Sequence, residues 1–316
     1  MGDVRIGTCS WTDKTLLKSG FYPASASSPA GRLAYYSSRF GVVEVDSTYY
    51  ALADSRSANR WIGSTPDNFL FGVKSYGLFT FHRVKFASLS AWLKAELGGG
   101  PPNALVKRED VSHKQRVRLY EEFLRPVEIL HSSGRLAYLL FQFPQYWLYN
   151  AENLSYIKRI REMSGTMPLA LELRNRSWFE GGNRDVFIDL LSDRNIAYTA
   201  VDEPDIGWTV PRDWPITADF GTVVRFHGRN HAGWQNPKAS VYERFDYEYK
   251  REELADWVSE IISIREKSGG AQKIFLMFNN CVSDKAVRGA RLMTEMLGMG
   301  TYRGDLQREL DFSVES

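Results

Sequence analysis

Val42-Val43-Glu44-Val45-Asp46 is an apolar run that turns acidic at alternate positions. Side chains of a strand alternate between its two faces, so Glu44 and Asp46 share one side while Val43 and Val45 share the other. The same pattern recurs in Leu169-Ala170-Leu171-Glu172-Leu173-Arg174, Ala197-Tyr198-Thr199-Ala200-Val201-Asp202, Val223-Val224-Arg225-Phe226-His227 and Ile274-Phe275-Leu276-Met277-Phe278-Asn279-Asn280. Each run is greasy on one face and polar on the other near its end. A parallel barrel with helices outside, and a site at the carboxyl ends of its strands, produces that arrangement.

Outward from these runs, eight strands are predicted: Val4 to Cys9, Val42 to Asp46, Phe69 to Lys74, Leu136 to Phe143, Leu169 to Arg174, Ala197 to Asp202, Val223 to His227 and Ile274 to Asn279. Segments with apolar residues at spacings of three and four lie between most of them, over Arg32–Arg39, Lys114–Leu130, Leu154–Met163, Val186–Asp193, Glu252–Glu266 and Ala286–Leu297. Strand and helix alternate, so the sheet is expected to be parallel and to form a single TIM-type (β/α)8 barrel over residues 1–316. The segment from Lys74 to Leu136 is too long for one crossover and is expected to be an insertion between strands 3 and 4. It holds a helix around Ala91 to Leu97 and a surface loop at Gly98-Gly99-Gly100-Pro101-Pro102. A second irregular loop runs from Glu203 to Phe220, with Pro204, Pro211 and Pro215. An open doubly wound sheet is the rival architecture, but no Gly-rich phosphate loop follows the first strand.

Hydrophobic residues make up 43% of the 316 and charged residues 25%, an ordinary balance for a chain with a large core. Forty basic residues against thirty-eight acidic ones leave a net charge of +2, which does not by itself indicate a nucleic-acid binder. No apolar stretch is long enough to span a bilayer, and the amino terminus lacks the pattern of a signal peptide. Only Cys9 and Cys281 are present, which excludes a disulfide framework and a cysteine-based zinc cluster and points to a reducing, cytoplasmic compartment. On the first and last strands of a closed barrel the two are neighbours, as two packed thiols or as a regulatory pair.

Gly7-Thr8-Cys9-Ser10-Trp11, Phe21-Tyr22-Pro23, Val43 through Tyr50, Phe71-Gly72-Val73-Lys74 and Leu140-Phe141-Gln142-Phe143-Pro144 appear in order. Glu172-Leu173-Arg174 with Ser177-Trp178, Val201-Asp202-Glu203-Pro204, Arg225-Phe226-His227-Gly228-Arg229 and Phe278-Asn279-Asn280 follow them. Together they resemble the YecE-like family, domain of unknown function 72. The resemblance covers nearly the whole chain and implies a TIM-type barrel similar in architecture to the zinc-dependent apurinic endonucleases, with no activity established. The chain departs from the family pattern twice. Thr80 is followed by Phe81, which displaces His82 by one position, and Gly289 stands where an Asn is frequent.

In a closed barrel the polar faces bring Glu44, Asp46, Glu172 and Asp202 to Lys74, Arg174, Arg225 and His227, with Gln142, Asn279 and Asn280 completing the ring. Buried carboxylates cost several kcal/mol, roughly, unless paired, so these groups bind one another or a ligand. The catalytic candidates are Glu172, Asp202, His227 and Glu44; the alternatives are an ion pair for Glu44 and for Glu172, a cap on the following turn for Asp202 or its neighbour Glu203, and a structural role for His227. Arg174 beside Glu172 suits bidentate anion binding, and Arg225, His227, Gly228 and Arg229 follow strand seven, where barrels often bind phosphate. Lys74 balances charge on a phosphate or an oxyanion, while His113 and His131 read as surface or packing residues. Trp11, Tyr49, Tyr50, Trp147 and Trp178 lie just beyond strand ends, where aromatics stack a sugar or a base or anchor loops.

Three functions fit these residues. The first is an enzyme acting on a phosphorylated or polyhydroxylated ligand by hydrolase- or lyase-type acid–base chemistry, with Glu172 as acid or base. The second is a nucleic-acid binder or phosphodiesterase using the aromatic rim with Arg225 and Arg229, and the third is a non-catalytic small-ligand sensor. Imidazoles are too few for a multinuclear zinc site, whereas one hard cation on Glu44, Asp46, Glu172 or Asp202 stays open.

Overall fold

The computed structural model describes residues 4–267 and 272–300. Eight parallel strands close into a barrel. They are β1 (Val4–Thr8), β2 (Val42–Val45), β3 (Leu70–Lys74), β4 (Leu136–Gln142), β5 (Leu169–Glu172), β6 (Ile196–Asp202), β7 (Thr222–Phe226) and β8 (Ile274–Phe278). Each strand pairs with its neighbours in sequence, and β8 returns to β1 in a register running from Val4 opposite Ile274 to Thr8 opposite Phe278. Closure leaves the barrel sheet without an edge and directs every second side chain to a shared interior.

The predicted helices all form, shifted by a few residues at their ends. Pro29 opens the first long one, Pro29–Ser37, with Ser28 capping it by accepting from the Gly31 amide. Ser112 and Gln115 make a capping box at the start of His113–Ser132, and Asn150 caps Ala151–Met163. Capping residues outside the apolar pattern explain why these helices begin before it does. Between Lys74 and Leu136 the chain also forms helix Ala91–Glu96 and a short antiparallel pair, Val84–Lys85 with Leu105–Val106. Among the described residues no helix is long and apolar enough to cross a membrane.

Two glycines set how closely the parts approach. Inside the barrel, Glu44 lies opposite Gly72, and Gly72 opposite Tyr138. A Cβ at Gly72 would stand 2.5 Å from Tyr138 Cζ, so its absence lets the phenol cross the barrel and donate to Glu44 Oε2 at 3.0 Å. Outside the barrel, a Cβ at Gly289 in helix Lys285–Met296 would come within 2.7 Å of the Phe278 ring. The departure from the family's Asn thus accompanies tight packing of the last helix on β8.

Several polar residues expected at strand ends lie just beyond them. Asp46, Arg174, His227 and Asn279 each follow β2, β5, β7 or β8 by one or two residues, yet Asn279 and His227 still bond to the neighbouring strands through their backbone amides. The ladder therefore carries the alternation past the formal strand end.

Candidate functional site at the barrel mouth

Arg225 is the centre of the interior. It is fully buried, and its Nη1 donates to Glu172 Oε2 at 2.5 Å while its Nη2 donates to Glu44 Oε1 at 2.6 Å. Glu172 meets a second guanidinium, with Arg174 Nε 2.6 Å from its Oε1. Arg174 Nη1 in turn donates to Glu203 Oε2 at 2.7 Å. His227 Nε2 lies 3.3 Å from Glu172 Oε1, and the Asn279 amide donates to its Nδ1 at 3.0 Å. An amide N–H only donates, so Nδ1 accepts and the ring proton sits on Nε2, facing the carboxylate. Lys74 Nζ and Asp46 Oδ1 are 3.4 Å apart, nearer the opening.

This network separates the carboxyl groups electrostatically. Burial alone raises Glu172, but the Arg174 and Arg225 charges outweigh it and hold its carboxyl well below the usual range. Glu44 is pushed up to about 7 by burial, opposed by Arg225 and reinforced by Asp46. Glu203 also rises to about 7, again through burial, with Arg174 opposing. His227 falls to about 3 because burial and then Arg174 disfavour its cationic form. Glu172 is thus a permanent anion, His227 a neutral imidazole, and Glu44 and Glu203 change charge near neutrality.

Above the network a cavity of about 800 Å3 opens at the carboxyl ends of the strands. Its floor includes Lys74, Gln142, Arg174 and Asn279; Tyr49 and Phe245 form part of its walls, and Asp46 stands between. Lys74 Nζ sits 4.8 Å above the centre of the Tyr49 ring. His82 lies edge-on to that ring, at 5.1 Å, with Nδ1 bonded to Thr80 Oγ1 at 2.9 Å. Phe81, in the left-handed region at φ 62°, turns the chain there, so the displaced imidazole still approaches the mouth. A second cavity, about 660 Å3, lies at the opposite end near Arg5, Phe40 and Leu297. That end of a barrel serves stability rather than chemistry.

The expected site residues divide into three groups. Lys74, Gln142, Arg174, Asn279 and Tyr49 reach the cavity. Glu44, Glu172, Arg225 and His227 lie sealed beneath it, each fully buried. The remainder sit elsewhere. Asp202 points to the outer side of β6, where it accepts from Trp257 Nε1, Tyr249 Oη and Arg229 at 2.6 to 2.9 Å. It therefore does not join the interior network, and Arg229 goes with it. Asn280 is buried and fastens a loop through the Tyr247 carbonyl. Trp11 packs edge-on against Trp61, and Trp178 is enclosed between Trp147 and Phe187, so neither presents a face to the cavity.

Glu203 takes the inward place assigned to Asp202. Alternation carries Ala197, Thr199 and Val201 inward, and Glu203 continues that parity, whereas Asp202 shares the face of Tyr198. The small residues Ala197 and Thr199 are the signal that distinguishes the two faces. Tyr138, the other interior partner, stands two residues from the start of its strand and four before Gln142 at the polar end, where nothing marks it as polar.

Of the four carboxylates offered to a cation, Glu44 and Glu172 hold Arg225 and Asp202 holds Arg229, while Asp46 lies 3.4 Å from Lys74 and 3.9 Å from Arg225. Among the described residues no three His, Cys, Asp or Glu side chains gather as a metal site would require. Cys9 and Cys281 both line the mouth as free thiols, their ionisation driven upward by burial.

The family model described as "Protein of unknown function DUF72" matches residues 5–309. The UPF0759 protein YunF of Bacillus subtilis is 29% identical over 312 residues, which cover 98% of this chain and 99% of that protein. A crystal structure of a DUF72 family protein from Thermotoga maritima superposes with a TM-score of 0.71 at 27% identity, over 94% of this chain and 99% of that one. One from Enterococcus faecalis V583 gives a TM-score of 0.75 at 24% identity, over 94% and 96%, a likeness of fold.

Proposed function

The chain belongs to the DUF72 family of proteins of unknown function, and we propose that its barrel-mouth cavity binds a small phosphorylated or polyhydroxylated molecule on which acid–base chemistry is performed. One observation carries this reading: Lys74, Gln142, Arg174 and Asn279, at or just beyond the ends of four different strands, bring cationic and amide donors to the floor of one cavity. Convergent donors in a concave site of this size suit a small anion bearing hydroxyls. Arg174 and Lys74 meet the anionic end. Asp46, which reaches the cavity beside Lys74, exchanges a proton with the ligand.

Glu172 then acts as a positioning residue. Its two oxygens fix both guanidinium groups, and with its carboxyl held far below neutrality it is not a proton donor. Glu44 and Glu203, which titrate near 7, set the charge beneath the floor.

Calorimetric titration with inorganic phosphate and with ribose 5-phosphate tests the binding. Saturable binding that weakens by about tenfold or more in Lys74→Met supports the reading. Equal affinity in that variant, or no binding by either compound, overturns it. Wild-type protein that consumes the sugar phosphate, with Asp46→Asn binding without turnover, supports the enzyme. A ligand returned unchanged makes the site a sensor, and tight salt-dependent binding of single-stranded DNA instead moves the assignment to nucleic acid.

A further inference from the structure

We infer that the occupant of this cavity is a nucleoside monophosphate, with its phosphate on the floor, its ribose at mid-depth and its base against two tyrosines at the rim. This rests on the anion-binding reading above and adds a direction and a ring to it. Exposure orders the lining by depth, rising from 8% at Arg174 through Asp46, whose side chain is 25% exposed, to 46% at Tyr242 and 62% at Tyr50. The ligand therefore meets cations first, then a carboxylate, then aromatic faces.

Each depth has its own chemistry. At mid-depth Asp46 lines the cavity, with its Oδ1 enclosed between Lys74 Nζ at 3.4 Å and Arg225 Nη2 at 3.9 Å. The exposed part of that carboxylate, beside the cavity, suits the vicinal hydroxyls of a ribose, which supply two donors. At the rim, Tyr50 is the most exposed aromatic of the cavity, yet it is braced edge-on by Tyr49 at 4.9 Å and 90°. The same Tyr49 ring carries Lys74, so the rim and the floor are joined through one side chain. Tyr242, on helix Val241–Phe245, lines the same cavity, and its hydroxyl lies 3.5 Å from Asp13 Oδ2. Two held tyrosines at the entrance of a polar cavity are apolar faces available for a planar ring. Stacking of a base on such faces adds affinity without reading its edges.

The test is titration of the full-length protein with AMP, ribose 5-phosphate and inorganic phosphate. AMP is expected to bind roughly tenfold or more tightly than ribose 5-phosphate. The double variant Tyr50→Ala, Tyr242→Ala is expected to erase that ratio, and Tyr50→Phe, Tyr242→Phe to keep it, which separates stacking from loss of the fold. AMP and ribose 5-phosphate of equal affinity, or a ratio untouched by the alanine pair, overturn the nucleotide while leaving the anion floor in place. Failure of all three compounds removes both readings together.

Discussion

Arg225 shows what a single residue contributes to this molecule. It is one of the largest fully buried side chains, and two carboxylates depend on it for compensation. Removing it leaves Glu44 and Glu172 facing each other in a low dielectric, with Arg174 and Tyr138 as remaining partners. Arg225→Ala is therefore expected to lose about 3–5 kcal/mol of unfolding free energy, measured by urea denaturation. A loss under about 1 kcal/mol would show that the interior charges are solvated and not mutually dependent. The parity of neighbouring acids is the other lesson at this scale. Asp202 and Glu203 are adjacent and chemically alike, but one faces a helix and the other faces Arg174. The sequence offered both, and the alternation of β6 decides between them.

At the scale of elements, the short strands β2 and β3 fix how the barrel interior is filled. Gly72 on β3 makes room for the Tyr138 ring from β4, and the phenol reaches Glu44 on β2. Gly72→Ala forces that ring aside and is expected to cost about 1–3 kcal/mol through overpacking. Tyr138→Leu in the Gly72→Ala background is expected to recover part of the loss, since the clash is with the ring. A double-mutant cycle on unfolding free energies measures this coupling, and additive losses would place the strain elsewhere. Helices and strands were legible in the chain because their periodicities survive without any partner. Their ends were less so. Caps such as Ser112 with Gln115, and Asn150, are polar and fall outside the apolar pattern that marks the helices.

For the molecule as a whole, the buried titratable groups give stability an opposed dependence on pH. Glu44 and Glu203 have folded values near 7 against about 4.5 when unfolded, so the native state holds more protons between those limits. Their contribution is fully present below about pH 4.5 and is lost as pH rises to about 7. His227 and His82 have folded values near 3 against 6.5, so the unfolded state takes protons first and stability is lost as pH falls from about 6.5 towards 3. Glu44→Gln is expected to gain stability relative to wild type as pH rises from about 4.5 to 7, with a slope of up to about 1.4 kcal/mol per pH unit. Denaturation curves across that range check it, and a difference that stays flat would mean that Glu44 is ionised throughout.

The sequence by itself determined the barrel, its eight strands and the polar character of its carboxyl end. Alternation of apolar and charged residues is a local property that any strand carries, and it is readable one segment at a time. It did not determine which charges face a ligand. Glu172, Arg225 and His227 come to lie under the cavity floor, while Lys74, Arg174 and Asp46 reach it, because closure of the barrel sets the depth at which each side chain stops. Depth depends on the stagger between strands and on the rings and loops that cover them. Those are relations between distant segments, and only the folded chain brings them together.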